Sequence, residues 1–136
     1  AHHIIADIER IGDYAKNLLE RSQEKNKAGV SFSEPAKEEL DVIYKKVNLM
    51  FDCAMGIFLS KDETKLQVIS TLESEVDNLK DELNRRHIER LNKGECTVET
   101  GVYYYATISE LERTADHLVN IAYSIHNPVG EEDIAK

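Results

Sequence analysis

Apolar residues recur at steps of three and four along nearly the whole chain, and no stretch alternates with the period of two that a half-buried strand needs. That period predicts an all-α protein. From the N-terminus to Asn26 the apolar face reads Ile4, Ile5, Ile8, Ile11, Ala15, Leu18 and Leu19, with Gly29 as its stop. Ser33 is placed to cap a second helix. Glu34 and Pro35 fill its first turn, and its seam is Leu40, Ile43, Val47, Met50, Ala54 and Ile57, ending about Leu59. Ser60 and Glu63 have the spacing of a capping box and predict a third helix on Leu66, Ile69, Leu72, Val76, Leu79 and Leu83, stopped by Gly94. Thr97 is placed to cap a fourth on Ile108, Leu111, Ala115, Leu118, Ala122 and Ile125, which Pro128 and Gly130 break. Long helices joined by short connections are expected to pack antiparallel, as a rod in which all four seams share one core.

At 136 residues the chain suffices for one such core. Seventeen Lys and Arg against 26 Asp and Glu leave a net charge of −9, the wrong sign for gripping a phosphate backbone, so nucleic acid is not an expected partner. Cys53 and Cys96 have neither a zinc-binding nor a disulfide-framework spacing, which fits a reducing compartment best. No run of about 18 apolar residues predicts a membrane span within this segment.

The first helix is repeated in the last. Ala6 to Leu18 reads ADIERIGDYAKNL and Ser109 to Ile121 reads SELERTADHLVNI, so Glu9 falls on Glu112, Arg10 on Arg113, Asp13 on Asp116 and Asn17 on Asn120, each 103 residues apart. A repeating unit that closes with this helix makes residues 1–28 the last helix of one unit and 34–127 a full three-helix unit, followed by a tail over 128–136. The chain reads as the end of a two-repeat protein.

Glu9 and Asp13 each follow Ile8 and Gly12 by one residue, and Glu112 and Asp116 follow Leu111 and Ala115, which puts both pairs on the shoulder of an apolar seam. Glu73 and Asp77 on the third helix stand in the same relation to Leu72 and Val76. Like charges four apart cost a helix about 0.2–0.5 kcal/mol, so three such pairs call for nearby positive charge. Arg10 and Arg113, three residues before Asp13 and Asp116, supply it in the plainer reading, as intrahelical ion pairs on a solvated face. In the functional reading the carboxylates of neighbouring helices converge on hard cations, which favour oxygen ligands. Asp52 and His117 are lesser candidates for the same cluster, each more simply read as a surface group. Tyr103, Tyr104 and Tyr105 span one turn, so at least one is expected buried and one exposed. No nucleophile, base and orienting group stand at usable spacing, and neither a Gly-rich phosphate loop nor a GxSxG turn occurs.

DIERIGD and LERTADH, each on a unit-closing helix and each followed by Asn, resemble the Glu/Asp-x-x-x-Asp signature of the PhoU family of phosphate-uptake regulators, and ESEVD at Glu73 to Asp77 resembles its partner on the preceding helix. The resemblance implies a helical bundle of PhoU-like three-helix repeats. It also implies a multinuclear cluster of iron or another hard divalent or trivalent cation on these motifs, carried here by Glu9, Asp13, Glu73, Asp77, Glu112 and Asp116. Members occur as free cytoplasmic proteins and as the cytoplasmic region of inner-membrane sodium/phosphate cotransporters. It therefore implies a non-enzymatic regulator of phosphate transport whose partners are a phosphate transporter, or its membrane domain, and a phosphate-signalling kinase. Self-association is expected too, because the first helix exposes apolar faces. Two other readings stay open. One is a metal-free helical interaction module; the other is a di-iron carboxylate enzyme, whose Glu-x-x-His signature is absent at Glu9 and Glu112, where Gly12 and Ala115 stand three residues on.

Overall fold

A computed structural model describes residues 2–126 of the chain. The described residues form four helices, α1 (His2–Lys27), α2 (Glu34–Ser60), α3 (Thr64–Asn92) and α4 (Val98–His126). Their ends follow local chemistry. Gly29 takes a left-handed φ of 70°, and the Gly29 and Val30 amides turn back to the carbonyls of Asn26 and Lys25, closing α1 with a Schellman motif. Gly94, with φ 71°, does the same for α3 through Leu91 and Arg90. The Ser33 hydroxyl accepts the Ala36 amide at the start of α2, and the Thr97 hydroxyl accepts the Thr100 amide at the start of α4.

The Ser60–Glu63 capping box does not form. Ser60 is the last residue of α2, and its hydroxyl donates to the Gly56 carbonyl inside that helix. Asp62 instead opens α3, accepting both the amide and the hydroxyl of Thr64 at 3.0 and 2.7 Å. An Asx-type cap two residues ahead of the helix replaced the longer box because α2 ran one residue further than its seam. The chain breaks direction at Lys61, whose φ of 53° is left-handed in a residue with a Cβ.

α2, α3 and α4 run up, down and up around a common core, built from Ile43, Val47, Met50, Ala54 and Ile57 of α2, Ile69, Leu72, Val76 and Leu83 of α3, and Tyr104, Ile108, Leu111, Ala115, Leu118 and Ala122 of α4. Each fully buried aliphatic side chain contributes about 1.5–3 kcal/mol, so these three seams define the stable unit. The expectation that four seams share this core is corrected by α1. It packs chiefly along α4, on the outside, and only Ile11 and Leu18 reach the core as half-buried residues. Ile5, Ile8 and Leu19 remain exposed. The break at Pro128 and Gly130 and the tail over 128–136 lie outside the described residues.

α1 and α4 run antiparallel and meet through Asp7 and Tyr14 on His117 and through Arg21 on Glu110. Tyr14 and His117 are themselves 103 apart and touch, Oη to Nε2 at 3.2 Å.

Candidate carboxylate site between α3 and α4

Glu73 and Asp77 come from α3, and Glu112 and Asp116 from α4. The two helices run antiparallel with their Glu-x-x-x-Asp motifs at the same height, so each carboxylate feels those across the gap. Burial, then the charges of Asp116 and Asp77, pushes the Glu73 carboxyl above its ordinary range. Burial and then the Glu112 carboxylate do the same to Asp77. Asp116 is raised by burial, then by Glu112 and Asp77. Mutual repulsion of this kind is the electrostatic signature of a site short of positive charge.

Lys80, one turn beyond Asp77, supplies part of that charge. Its ammonium lies 3.0 Å from both Glu112 carboxylate oxygens, and this bond is the main reason its own affinity for a proton rises. Sequence reading missed Lys80 because it sought the counter-charge within each motif. Arg113 was the expected intrahelical partner of Asp116; the structure turns it to Glu110 instead, at 3.5 Å. Arg10 is exposed. Among the described residues, no three or more His, Cys, Asp or Glu side chains stand arranged to hold a metal ion. Glu73 and Asp77 of α3 face Asp116 and Glu112 of α4, with Asp77 and Asp116 exposed, but the four do not stand as a metal-binding group.

Glu9 and Asp13 are not part of this set. Both are exposed on α1, which packs chiefly on α4, and among the described residues no acidic pair on a neighbouring helix faces their motif. Asp52 is exposed on α2. His117 turns away from the carboxylates toward α1, where Nδ1 meets Asp7 at 2.5 Å and Nε2 meets the Tyr14 hydroxyl. With Nδ1–H donated to Asp7, Nε2 is left to accept the Tyr14 proton. At the 103-residue offset the counterpart of Asp7 is Glu110. It is 2% exposed and pairs with Arg21 at 4.0 Å, and its Oε2 has no hydrogen-bond partner.

A second polar centre lies inside the bundle near the start of α4. Glu39 of α2 receives both arms of the Arg90 guanidinium, at 2.7 and 3.0 Å, and the Tyr104 hydroxyl at 2.8 Å. Burial opposes the Glu39 charge, yet the Arg90 and Tyr104 bonds hold its carboxyl below the usual range. Tyr104 is pushed far up by burial and by Glu39. His87 stacks on Tyr104 at 4.6 Å and is held neutral by burial and by Arg90. Gly101 leaves room for the ring, since a Cβ there would sit 3.0 Å from its Nε2. Of the three tyrosines one is buried, as expected, but Tyr103 and Tyr105 are half-buried rather than exposed. The signal for this centre was present: Glu39 continues the Ile43–Val47 seam backward, and His87 and Arg90 continue the Val76–Leu83 seam forward.

Comparison with known sequences decides the family. Residues 40–125 match the family model described as the PhoU domain. The chain belongs to the PhoU family. It is 25% identical over 119 residues to the phosphate-specific transport system accessory protein PhoU homolog 1 of Thermotoga maritima, which covers 88% of this chain and 50% of that protein. It is 28% identical over 123 residues to a phosphate-specific transport system accessory protein PhoU homolog of Synechocystis sp., covering 90% and 53%. The chain thus spans about half the length of the curated relatives it matches. No solved structure matches it significantly. The matched PhoU region holds all four carboxylates of the α3–α4 site together with Lys80, and excludes the α1 motif.

Proposed function

We propose that this PhoU domain is a non-enzymatic regulatory element of phosphate transport, and that Glu73, Asp77, Glu112 and Asp116 are its cation-binding residues. The observation that supports the second part is that Glu73 and Asp77 face Asp116 and Glu112 across two helices, three of these carboxyls being raised by desolvation and by neighbouring carboxylates, with the Lys80 ammonium bound to Glu112. Carboxylate oxygens are the chemistry a hard cation such as iron or manganese takes, and binding it would require the α3 and α4 pairs to close on the ion from the arrangement described above. When bound, such a group supplies concentrated positive charge on an otherwise acidic surface. The chain's own residues hold the four carboxylates on two rigid helices, and Lys80 neutralises Glu112 until it is displaced.

Residues 1–28 read in the same way as the closing helix of a first repeat, with Glu9 and Asp13 as ligands only where a second acidic helix faces them. Likeness to phosphate transport accessory proteins supports action on a transporter or its signalling kinase from the cytoplasmic side, whether free or joined to a cotransporter. Among the described residues no helix is long and apolar enough to cross a membrane.

Elemental analysis after loading with Fe³⁺ or Mn²⁺ tests the site. Glu112→Gln/Asp116→Asn is expected to abolish bound metal, while Glu9→Gln/Asp13→Asn leaves the stoichiometry unchanged. Equal stoichiometry in the first variant and the parent rejects the α3–α4 site and favours the metal-free module, in which Lys80 is the permanent counter-ion.

A further inference from the structure

Cys96 stands between two fixed points of the α3–α4 connection. The Glu95 amide before it returns to the Arg90 carbonyl at 2.8 Å, closing α3, and the Thr97 hydroxyl after it caps α4. The half-buried Cys96 sulfur is thereby set over the end of α3, 3.6 Å from Nε2 of His87 and 4.0 Å from the His87 carbonyl. The His87 side chain is 1% exposed and its Nδ1 has no hydrogen-bond partner, so the thiol is the ring's one hydrogen-bonding neighbour among the described residues. Gly101 keeps the Nε2 edge free of any Cβ. A buried imidazole whose single polar neighbour is a thiol is a proton acceptor aimed at a nucleophile.

We propose that Cys96 is a modification site, at which the thiol forms a mixed disulfide with a small-molecule disulfide while His87 Nε2 takes its proton. The Cys96 sulfur attacks one sulfur of R–S–S–R as its proton passes to Nε2. The new Sγ–S bond forms while the S–S bond breaks, and the departing RS⁻ recovers the proton from His87 as RSH. Cys96 is oxidised, the attacking disulfide's other half is reduced, and no further oxidant enters. A bridge to the chain's other cysteine is excluded. Cys53 lies about 20 Å further along α2 than Glu39, which bonds Tyr104 at this end of the bundle, whereas bridged cysteines need Cα atoms about 4.4–6.8 Å apart.

The groups around His87 come from every element packed at this end. Arg90 lies one turn on in α3, Glu39 of α2 bonds Arg90, and from α4 Tyr104 stacks on the ring at 4.6 Å and Tyr105 meets it edge-on at 5.4 Å. Burial, then Arg90, lowers the imidazole's affinity for protons, and Glu39 opposes them in part, so the ring is neutral and able to accept near pH 7. The same contacts give the modification a consequence. A group carried on Sγ displaces the thiol from Nε2, and the ring so disturbed is stacked on Tyr104, whose hydroxyl holds Glu39 at 2.8 Å. The adduct therefore loads the buried Glu39–Arg90–Tyr104 centre.

Release of 4-thiopyridone from 4,4′-dithiodipyridine by the 136-residue chain carrying Cys53→Ala tests the proposal. Only a thiolate attacks, so an unaided thiol gains about tenfold in rate per pH unit until it ionises. Proton transfer inside the Cys96–His87 pair needs no hydroxide, and the rate is expected to rise no more than about threefold per unit between about pH 6 and pH 8. A full tenfold slope overturns the proposal without recourse to any variant at His87. His87→Phe, which keeps a ring against Tyr104, should lower the rate near pH 6.5 at least tenfold, restore the steep slope and converge with the parent where the thiol ionises unaided. A variant that follows the parent at every pH, or is slower by one constant factor throughout, overturns the role of His87 as proton acceptor. The mixed disulfide should lower the thermal midpoint, and dithiothreitol should restore it, while a chain with Cys96→Ser as well is inert to the reagent. A midpoint unmoved by the adduct overturns the link to the buried centre.

Discussion

Glu39 and Glu73 are carboxylates half a bundle apart whose surroundings drive them in opposite directions. Glu39 has the Arg90 fork and the Tyr104 hydroxyl, so removing its carboxylate strands a buried guanidinium. Glu39→Ala is expected to cost about 3–5 kcal/mol in urea unfolding, and adding Arg90→Leu should recover much of that loss. Glu73, Asp77 and Asp116 instead take up protons more readily in the folded chain than in the unfolded one. Folded molecules then bind more protons than unfolded ones through that window, so stability falls as pH rises across it and is regained on acidification. Glu39 has the opposite sign: its contribution is lost as pH falls through its depressed folded value. The urea midpoint should therefore rise as pH is lowered from neutral toward the raised carboxylates and then fall in stronger acid. Glu73→Gln should flatten the rising limb; an unchanged profile would show that the α3 and α4 carboxylates do not sense one another.

At the scale of the helix, most of what the sequence dictates is local and was legible in it. Gly29, Ser33, Gly94 and Thr97 end or begin helices where their backbone preferences place them. The α2–α3 turn was not legible, because two caps compete within four residues and the Ser60 hydroxyl is committed to the Gly56 carbonyl inside α2, leaving Asp62 to open α3. Lys61 bears the strain of that turn. Lys61→Gly should stabilise the chain by up to about 1 kcal/mol, whereas Gly94→Ala, at an equally left-handed position, should destabilise it by about 1 kcal/mol, both read from the thermal midpoint. The shared height of Glu73/Asp77 and Glu112/Asp116 was visible as two motifs in the same relation to their seams. Lys80 was not, since its role depends on which helix lies opposite.

For the molecule as a whole, the seams of α2, α3 and α4 were correctly readable as one core, while the position of α1 was not. Periodicity shows that a helix has an apolar face; it does not show whether a neighbour is there to take it. Because the core draws on α2 to α4 and receives only half-buried Ile11 and Leu18 from α1, removing residues 1–29 should leave a cooperative but lower thermal transition. Metal stoichiometry should be unchanged. Loss of cooperativity would place α1 inside the folding unit.

The α3–α4 site depends on helical phase rather than on any loop. One residue added between Glu73 and Lys80, or between Glu112 and Asp116, would swing everything beyond it by about 100° and disperse the four carboxylates. The same residue added at 28–33 or 93–97 would change only the length of a surface connection. Tolerance to insertion should thus be sharply segmented along this chain: lenient at the ends of the rod and nearly absent along its middle.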